Sequence, residues 1–310
     1  MRYSISLLMA SLATPAIADV TVVTDIAPVQ SLVAQVMGET PEVILPPGSD
    51  PHRFQLRPSQ ARAVQNADLA IWLGPEMTPW LETTMEGRSG EALELLHVDG
   101  LHAREYGDDH AEHAHGHDEH EHEHEHEHDD HGHDGHHHHD GLDPHAWLDP
   151  ANAMLWLDVI ATRLSEVDPA NAETYAANAA AAKQDIDALD GAIAQQLAPV
   201  ADKPFVVFHD AYGYFTDHYG LTLAGSISAG DASSPSAARL AGIRQDAGPA
   251  TCVFPEEQHD PKLAEQMASD AGVRLGGALA PEGAGLEAGP QLYAQLMQGL
   301  ADTLTECLDR

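Results

Sequence analysis

Short runs of consecutive apolar residues alternate along this chain with longer stretches whose apolar positions recur every three or four residues. The first run, VTVVT at 20–24, reads as a buried strand; Asp25 can cap the helix that follows and Gly38 can end it. The order then repeats with strand EVIL (42–45), loop PPGSDPH, a helix near Ser59–Asn66, strand LAIWL (69–73), a helix through Trp80 and a fourth strand within 91–96. Beyond residue 200 the alternation restarts. PFVVF (204–208), LTLAGS (221–226), TCVFP (251–255) and VRLG (273–276) read as strands. Helices fall over Tyr212–Tyr219, after Ser234-Pro235, after Asp260-Pro261, and from about Gly289 to Leu308. Strands that alternate with helices pair in parallel with helices on both faces. The pattern therefore predicts an α/β protein of two similar (β/α)4 lobes with mainly parallel sheets.

Between the lobes the period is helical throughout. Asp149 can cap and Pro150 open a helix to about Val167, and Asp168-Pro169 starts another that meets no proline until Pro199. Its alanine-rich sequence favours a continuous helix of roughly 45 Å at 1.5 Å per residue. The expected organisation is a lobe over 19–167, one long rigid linking helix over 168–199, and a lobe over 200–310. A stiff link argues against wide hinge closure and for release of any bound ligand through local loop movement. The first 18 residues carry Arg2, a short apolar run and Ala16-Ile17-Ala18, which reads as a signal peptide cleaved near Ala18/Asp19. No later stretch reaches the roughly 20 apolar residues of a membrane helix. The expectation is an exported, periplasmic protein that is not inserted in the membrane.

One segment breaks the pattern. From His102 to Gly141 almost nothing is apolar after Tyr106, so the stretch cannot bury enough surface to offset the entropy of ordering, and it reads as a mobile insertion. It holds sixteen of the 22 histidines, including the alternating EHEHEHEHEH at 119–128. Imidazoles at every second residue cannot gather on one helix face, but a flexible backbone can fold two or three around an ion. Because such a ligand loses chain entropy on binding, its sites should be weak, multiple and unselective. A solvated low-complexity segment with no ligand role is the plainer alternative. Charge points the same way: 14 Lys plus Arg against 50 Asp plus Glu give a net −36, a surface that repels nucleic acid and anionic membranes and attracts cations.

The chemistry outside the insertion rests on few residues. Cys252 and Cys307 are the two cysteines; in an oxidising compartment they read as one disulfide, with two unrelated buried thiols as the alternative. Of the six remaining histidines, His52 lies in a Pro/Gly-rich loop after a strand, His209 directly follows strand FVVF, and His145 stands in DPHAWLDP between the insertion and a helix start. In parallel α/β sheets, ligands bind outside the carboxyl ends of strands. Any one histidine would more often be structural, but three at equivalent loops in two lobes make a metal-ligand set. His97, His218 and His259 read as structural or surface residues.

Several stretches, in order, carry a family resemblance: PPGSDPHRFQLRPSQARAVQNADLAIWLGPEM (46–77), DPHAWLDP (143–150), FHDAYGYF (208–215) and CVFPEEQ (252–258) with Cys307. The chain resembles the ZnuA-like, zinc-specific substrate-binding proteins of bacterial ABC importers, the metal-binding cluster with a rigid linking helix. Acidic His-rich insertions occur at the same place in such proteins. The resemblance implies a high-affinity periplasmic Zn²⁺ receptor, not an enzyme, with His52, His145 and His209 as ligands and a Cys252–Cys307 disulfide. Nitrogen donors favour zinc over manganese. Partners implied are an inner-membrane ABC permease with its cytoplasmic ATPase, and a periplasmic zinc chaperone as a further candidate; the receptor would be a monomer. For the fourth ligand, Ala280 stands where some relatives carry an aspartate and Pro51 where others carry a glutamate, so water is the first reading and Glu282, displaced by two, the second. Imidazoles bind metal only when unprotonated, so affinity should fall below about pH 6.5. Two rival functions remain: a zinc hydrolase with Glu257 as base, for which no HExxH motif or nucleophile elbow is found, and a metal buffer in which the insertion does everything.

Overall fold

The computed structural model describes residues 20–106, 141–228 and 250–310. The expected signal peptide, the histidine-rich stretch 107–140 and the helix expected after Ser234-Pro235 lie outside the described residues.

The first lobe contains β1 (Val22–Thr24), α1 (Ala27–Met37), β2 (Glu42–Val43), α2 (Pro58–Asn66), β3 (Leu69–Trp72), α3 (Glu82–Glu86) and β4 (Glu91–Glu94). The second contains β5 (Phe205–His209), α6 (Gly213–Tyr219), β6 (Leu223–Ser228), β7 (Cys252–Phe254), α7 (Lys262–Ala271), β8 (Arg274–Leu275) and α8 (Leu292–Leu308). Both sheets have four parallel strands, in the orders β2-β1-β3-β4 and β6-β5-β7-β8. Each lobe thus starts its own sheet near the middle, places its second strand at one edge and its last at the other. The lobes are two copies of one topology, as the sequence pattern implies. Central strands are buried along their length, β1 and β3 at every position, which is why they read as continuous apolar runs without polar alternation.

Element ends differ from the sequence reading where hydrogen bonds redirect the chain. The fourth strand stops at Glu94 because Leu95–His97 form a 3₁₀ turn, and the freed Leu95 carbonyl accepts from the buried Trp156 indole at 3.0 Å. Strand β6 starts two residues late: Leu221 N–H still closes onto Thr216 and Thr222 N–H onto Ala201. The expected helix through Trp80 is a 3₁₀ turn, Pro79–Leu81, leading into α3.

Two helices, α4 (Pro150–Val167) and α5 (Ala172–Leu197), run between the lobes. Asp149 caps α4 by accepting the Ala151 N–H at 2.8 Å. The expected single helix over 168–199 is a 26-residue α5 flanked by 3₁₀ turns at Pro169–Asn171 and Ala198–Val200, about 39 Å long at 1.5 Å per residue. It is a splint packed along its length against α1, α4 and α8. Near its start, Asn178 donates to the Val36 carbonyl at 2.9 Å; near its end, Gln196 donates to Asp302 of α8 at 2.9 Å. The terminal helix also reaches back to the first lobe, with Ser31 Oγ donating to the Pro290 carbonyl (3.2 Å) and accepting the Tyr293 N–H (3.0 Å). Its far end is tied to β7 by a Cys252–Cys307 disulfide, which removes the reading of two unrelated thiols.

The insertion is narrower than expected. Residues 102–106 pair with the residues that start at 141: Glu105 bridges Leu142, Tyr106 N–H donates to the Gly141 carbonyl at 2.7 Å, and Asp143 N–H to the Arg104 carbonyl at 2.9 Å. His102, counted with the loop from sequence, bonds Asp149 Oδ2 through Nδ1 at 2.7 Å. Its polar side chain hid its place beside the α4 cap.

Candidate metal centre

Four loops at the carboxyl ends of strands meet where the lobes face each other. His52 sits on the loop after β2, where Asp50 Oδ1 accepts the His52 N–H (2.8 Å) and the Arg53 N–H (3.3 Å). The Trp80 indole donates to the Pro51 carbonyl at 2.5 Å and fixes this turn from outside. His145 follows the insertion and is wholly buried; Asp143 Oδ1 accepts both its backbone N–H (3.0 Å) and its ring Nδ1–H (2.8 Å). His209 is the last residue of β5, and its Nδ1–H points at Glu256 Oε2, 2.5 Å away. Glu256 also accepts the Tyr212 hydroxyl at 2.9 Å.

With both Nδ1 atoms committed to carboxylates, the lone pairs sit on Nε2 and point inward. The Nε2 atoms of His145 and His209 are 3.5 Å apart. Two nitrogens on one tetrahedral zinc, each at 2.0–2.1 Å, would be separated by about 3.3 Å. The His52 ring lies against His145 with centroids 5.6 Å apart, and the His145 and His209 centroids are 5.4 Å apart. The three histidines singled out in the sequence are therefore neighbours in space, although 157 positions separate the first from the last.

A carboxylate joins His145 and His209, while His52 is placed by its ring contact with His145. Donor atoms of His145, His209 and Glu282 all lie within 4.8 Å of one another, and all three residues are buried. Sequence reading put water ahead of Glu282 because Glu282 is displaced by two from the expected position. Around it, Leu279 pairs with Glu256 as an extension of the sheet, Gly283 N–H closes a turn onto Ala280, and Gly283 adopts a left-handed φ of 75°. The Trp147 indole holds the adjoining Pro281 carbonyl at 2.8 Å, and Gln258 donates to Glu282 Oε2 at 2.8 Å. Glu282 thus enters the cleft beside the His145 segment.

Outside the donors, the Arg104 guanidinium donates to Asp143 Oδ2 at 3.0 Å and to Asp217 of α6 at 3.0 Å. Burial works against the Arg104 charge, but the two aspartates outweigh it and raise its pKa above the usual arginine value. Asp143, Glu256, Tyr212 and Arg104 were not singled out by sequence reasoning. Asp143 and Glu256 carry a weak signal, an acid two residues before one histidine and an acid just beyond a strand end, but many acids in this chain share that description. Glu257, the candidate hydrolase base, is exposed, while Glu256 beside it faces the centre. Of the remaining histidines, His218 bonds Asp149 (3.1 Å) and Asp190 (2.8 Å), and His259 stacks on Phe208.

Two parallel α/β lobes held by a packed helix place a buried group of imidazoles and carboxylates at the strand ends between them. The chain belongs to the family described as ZnuA, zinc-uptake complex component A, periplasmic, which it matches over residues 22–307. It is 54% identical over 308 residues to the high-affinity zinc uptake system protein ZnuA of Paracoccus denitrificans, covering 96% of this chain and 94% of that protein. The ZnuA of Brucella suis is 38% identical, with 93% and 92% covered. Among solved structures, a zinc-bound ZnuA deletion mutant shares the fold with a TM-score of 0.72 at 24% identity, covering 94% of this chain and 98% of that one.

Proposed function

We propose that this protein is a high-affinity receptor that captures Zn²⁺ in the periplasm between its two lobes and delivers it to an inner-membrane ABC permease driven by a cytoplasmic ATPase. Its membership of a zinc-uptake family and its high identity to ZnuA proteins support this reading. The observation that carries it is the 3.5 Å approach of His145 and His209 Nε2 with Glu282 in reach. His52, His145 and His209 supply nitrogen and Glu282 a fourth, oxygen donor, a set that suits a borderline ion better than Mg²⁺ or Ca²⁺. Three neutral imidazoles and one carboxylate leave one positive charge on the bound ion, which the buried Asp143 and Glu256 carboxylates offset. Because those carboxylates hold both rings in the metal-accepting tautomer before the ion arrives, little rotamer entropy is lost on binding.

As parts of the same reading, residues 1–18 are the export signal, 19–167 and 200–310 are the lobes joined at 168–199, and the protein acts as a monomer that takes zinc from solution or from a periplasmic chaperone. It is a receptor and not an enzyme. The histidine-rich insertion serves as an auxiliary collector with weak Zn²⁺ sites.

The test is competition for zinc against a chromophoric chelator, with the whole chain and with His52, His145 and His209 replaced by alanine singly and together. Loss of the tight binding event, with the weak events retained, is the expected result. A triple variant that keeps its tightest event would make the insertion the principal site and overturn the receptor reading. Glu282→Gln decides the fourth ligand: a loss of about tenfold or more assigns it to Glu282, and unchanged affinity assigns it to water.

A further inference from the structure

A second set of donors stands at the carboxyl end of the first sheet, apart from the four cleft loops. Strands β3 and β4 pair in parallel with Trp72 opposite Glu94. Just beyond them, Glu76 lies in the turn that follows β3 and His97 ends the 3₁₀ turn that follows β4. His97 Nε2 is 3.0 Å from Glu76 Oε1 and 3.3 Å from Glu94 Oε1, and one donor atom from each of the three residues lies within 4.8 Å of the others. The Glu76 side chain is only 3% exposed, whereas Glu94 is 37% and His97 49% exposed, so the group is a recess open on the imidazole side.

Gly74 provides the space for it. A Cβ at this position would stand 2.7 Å from Glu76 Oε2 and 3.2 Å from Glu94 Oε1, so both carboxylates converge on the face that a side chain would fill. Its φ of 145° is also one that side chains rarely adopt. Two carboxylates that converge on one recess favour a cation beside them. The donor geometry suits a metal ion, because His97 Nε2 and one oxygen from each carboxylate lie within 4.8 Å of one another.

We infer that Glu76, Glu94 and His97 form a second Zn²⁺ site, on the rim of the first lobe, with solvent completing the coordination. One nitrogen and two oxygens fit a borderline divalent ion; Mg²⁺ and Ca²⁺ would favour oxygen-only shells. With one imidazole and an open side, the site is weaker and exchanges faster than the cleft centre. The inference does not depend on the cleft assignment, since none of its residues belongs to that centre.

The experiment uses the full chain labelled with ¹⁵N-histidine and titrated with zinc, the His97 signals being identified by their absence from His97→Gln. The expected result is that the His97 ring nitrogens move to metal-bound positions once the cleft imidazoles have responded, and that they ignore Mg²⁺. In the double variant Glu76→Gln, Glu94→Gln the same response should need at least tenfold more zinc. Crystals grown with zinc should also show anomalous scattering at roughly 2.0–2.2 Å from His97 Nε2 and the two carboxylates. Anomalous density in the cleft with none at His97 would overturn the inference, as would His97 signals that stay fixed while the cleft imidazoles shift. A double variant that responds like the parent would reduce His97 to an isolated surface histidine.

Discussion

At the scale of single residues, the proposed zinc centre rests on side chains outside the donor set. Asp143 and Glu256 each hold one imidazole by Nδ1–H, at 2.8 and 2.5 Å, and Arg104 and Tyr212 hold those carboxylates in turn. Removing such an outer partner costs about 10–100-fold in metal affinity in comparable sites. Asp143→Asn and Glu256→Gln are therefore each expected to weaken zinc binding by that factor in chelator competition, with the fold intact by circular dichroism. The grouping of His52, His145 and His209 was legible from sequence because each stands in a short, distinctive motif at a loop where parallel sheets bind ligands. Their supporting acids were not, since 50 acidic residues in one chain offer no contrast. Glu282 was legible only as a second choice, because its entry into the cleft depends on a left-handed turn at Gly283 that no periodicity encodes.

At the scale of elements, two fasteners join parts that the sequence kept far apart. His218 of α6 lies between Asp149, the α4 cap, and Asp190 of α5. The hydrogen bond that His218 donates to Asp149, reinforced by Asp190 against partial burial, raises its pKa from 6.5 to about 9. The folded state thus holds this proton more tightly than the unfolded chain. Its stabilisation, on the order of 2–3 kcal/mol, is complete below about pH 6.5 and disappears as pH rises through 9. In urea titrations the gap between the parent and His218→Gln should accordingly be widest near pH 6 and close by pH 10. The second fastener is the disulfide, whose two cysteines are 55 residues apart. In the chain-entropy view that closure contributes about 4 kcal/mol, so replacing both cysteines by serine should lower unfolding stability by roughly 2–5 kcal/mol and loosen α8 from β7. Strand order was legible because continuous apolar runs alternate with helical periods. Strand ends were not: β4 stops where the Leu95 carbonyl turns to a tryptophan from a distant helix.

For the whole molecule, α5 packs against helices of both lobes, so the cleft walls are parts of one braced body. On the proposed reading, ion exchange would then fall to the loops bearing His52 and Glu282. The residues that flank 107–140 are held together as a closed stem, with Tyr106 N–H donating to the Gly141 carbonyl at 2.7 Å. Replacing 107–140 with a two-residue Asn-Gly turn should leave the tight zinc affinity unchanged while slowing uptake and growth under zinc limitation. Equal growth would remove the collector role. A closed stem has a further consequence for how such proteins diversify. Doubling the length of a flexible loop between fixed ends costs only about 0.6 kcal/mol, so histidine repeats can expand or contract there by replication slippage with almost no penalty to folding. A lineage could thus match its scavenging capacity to metal scarcity by changing repeat number alone, leaving the selective centre untouched.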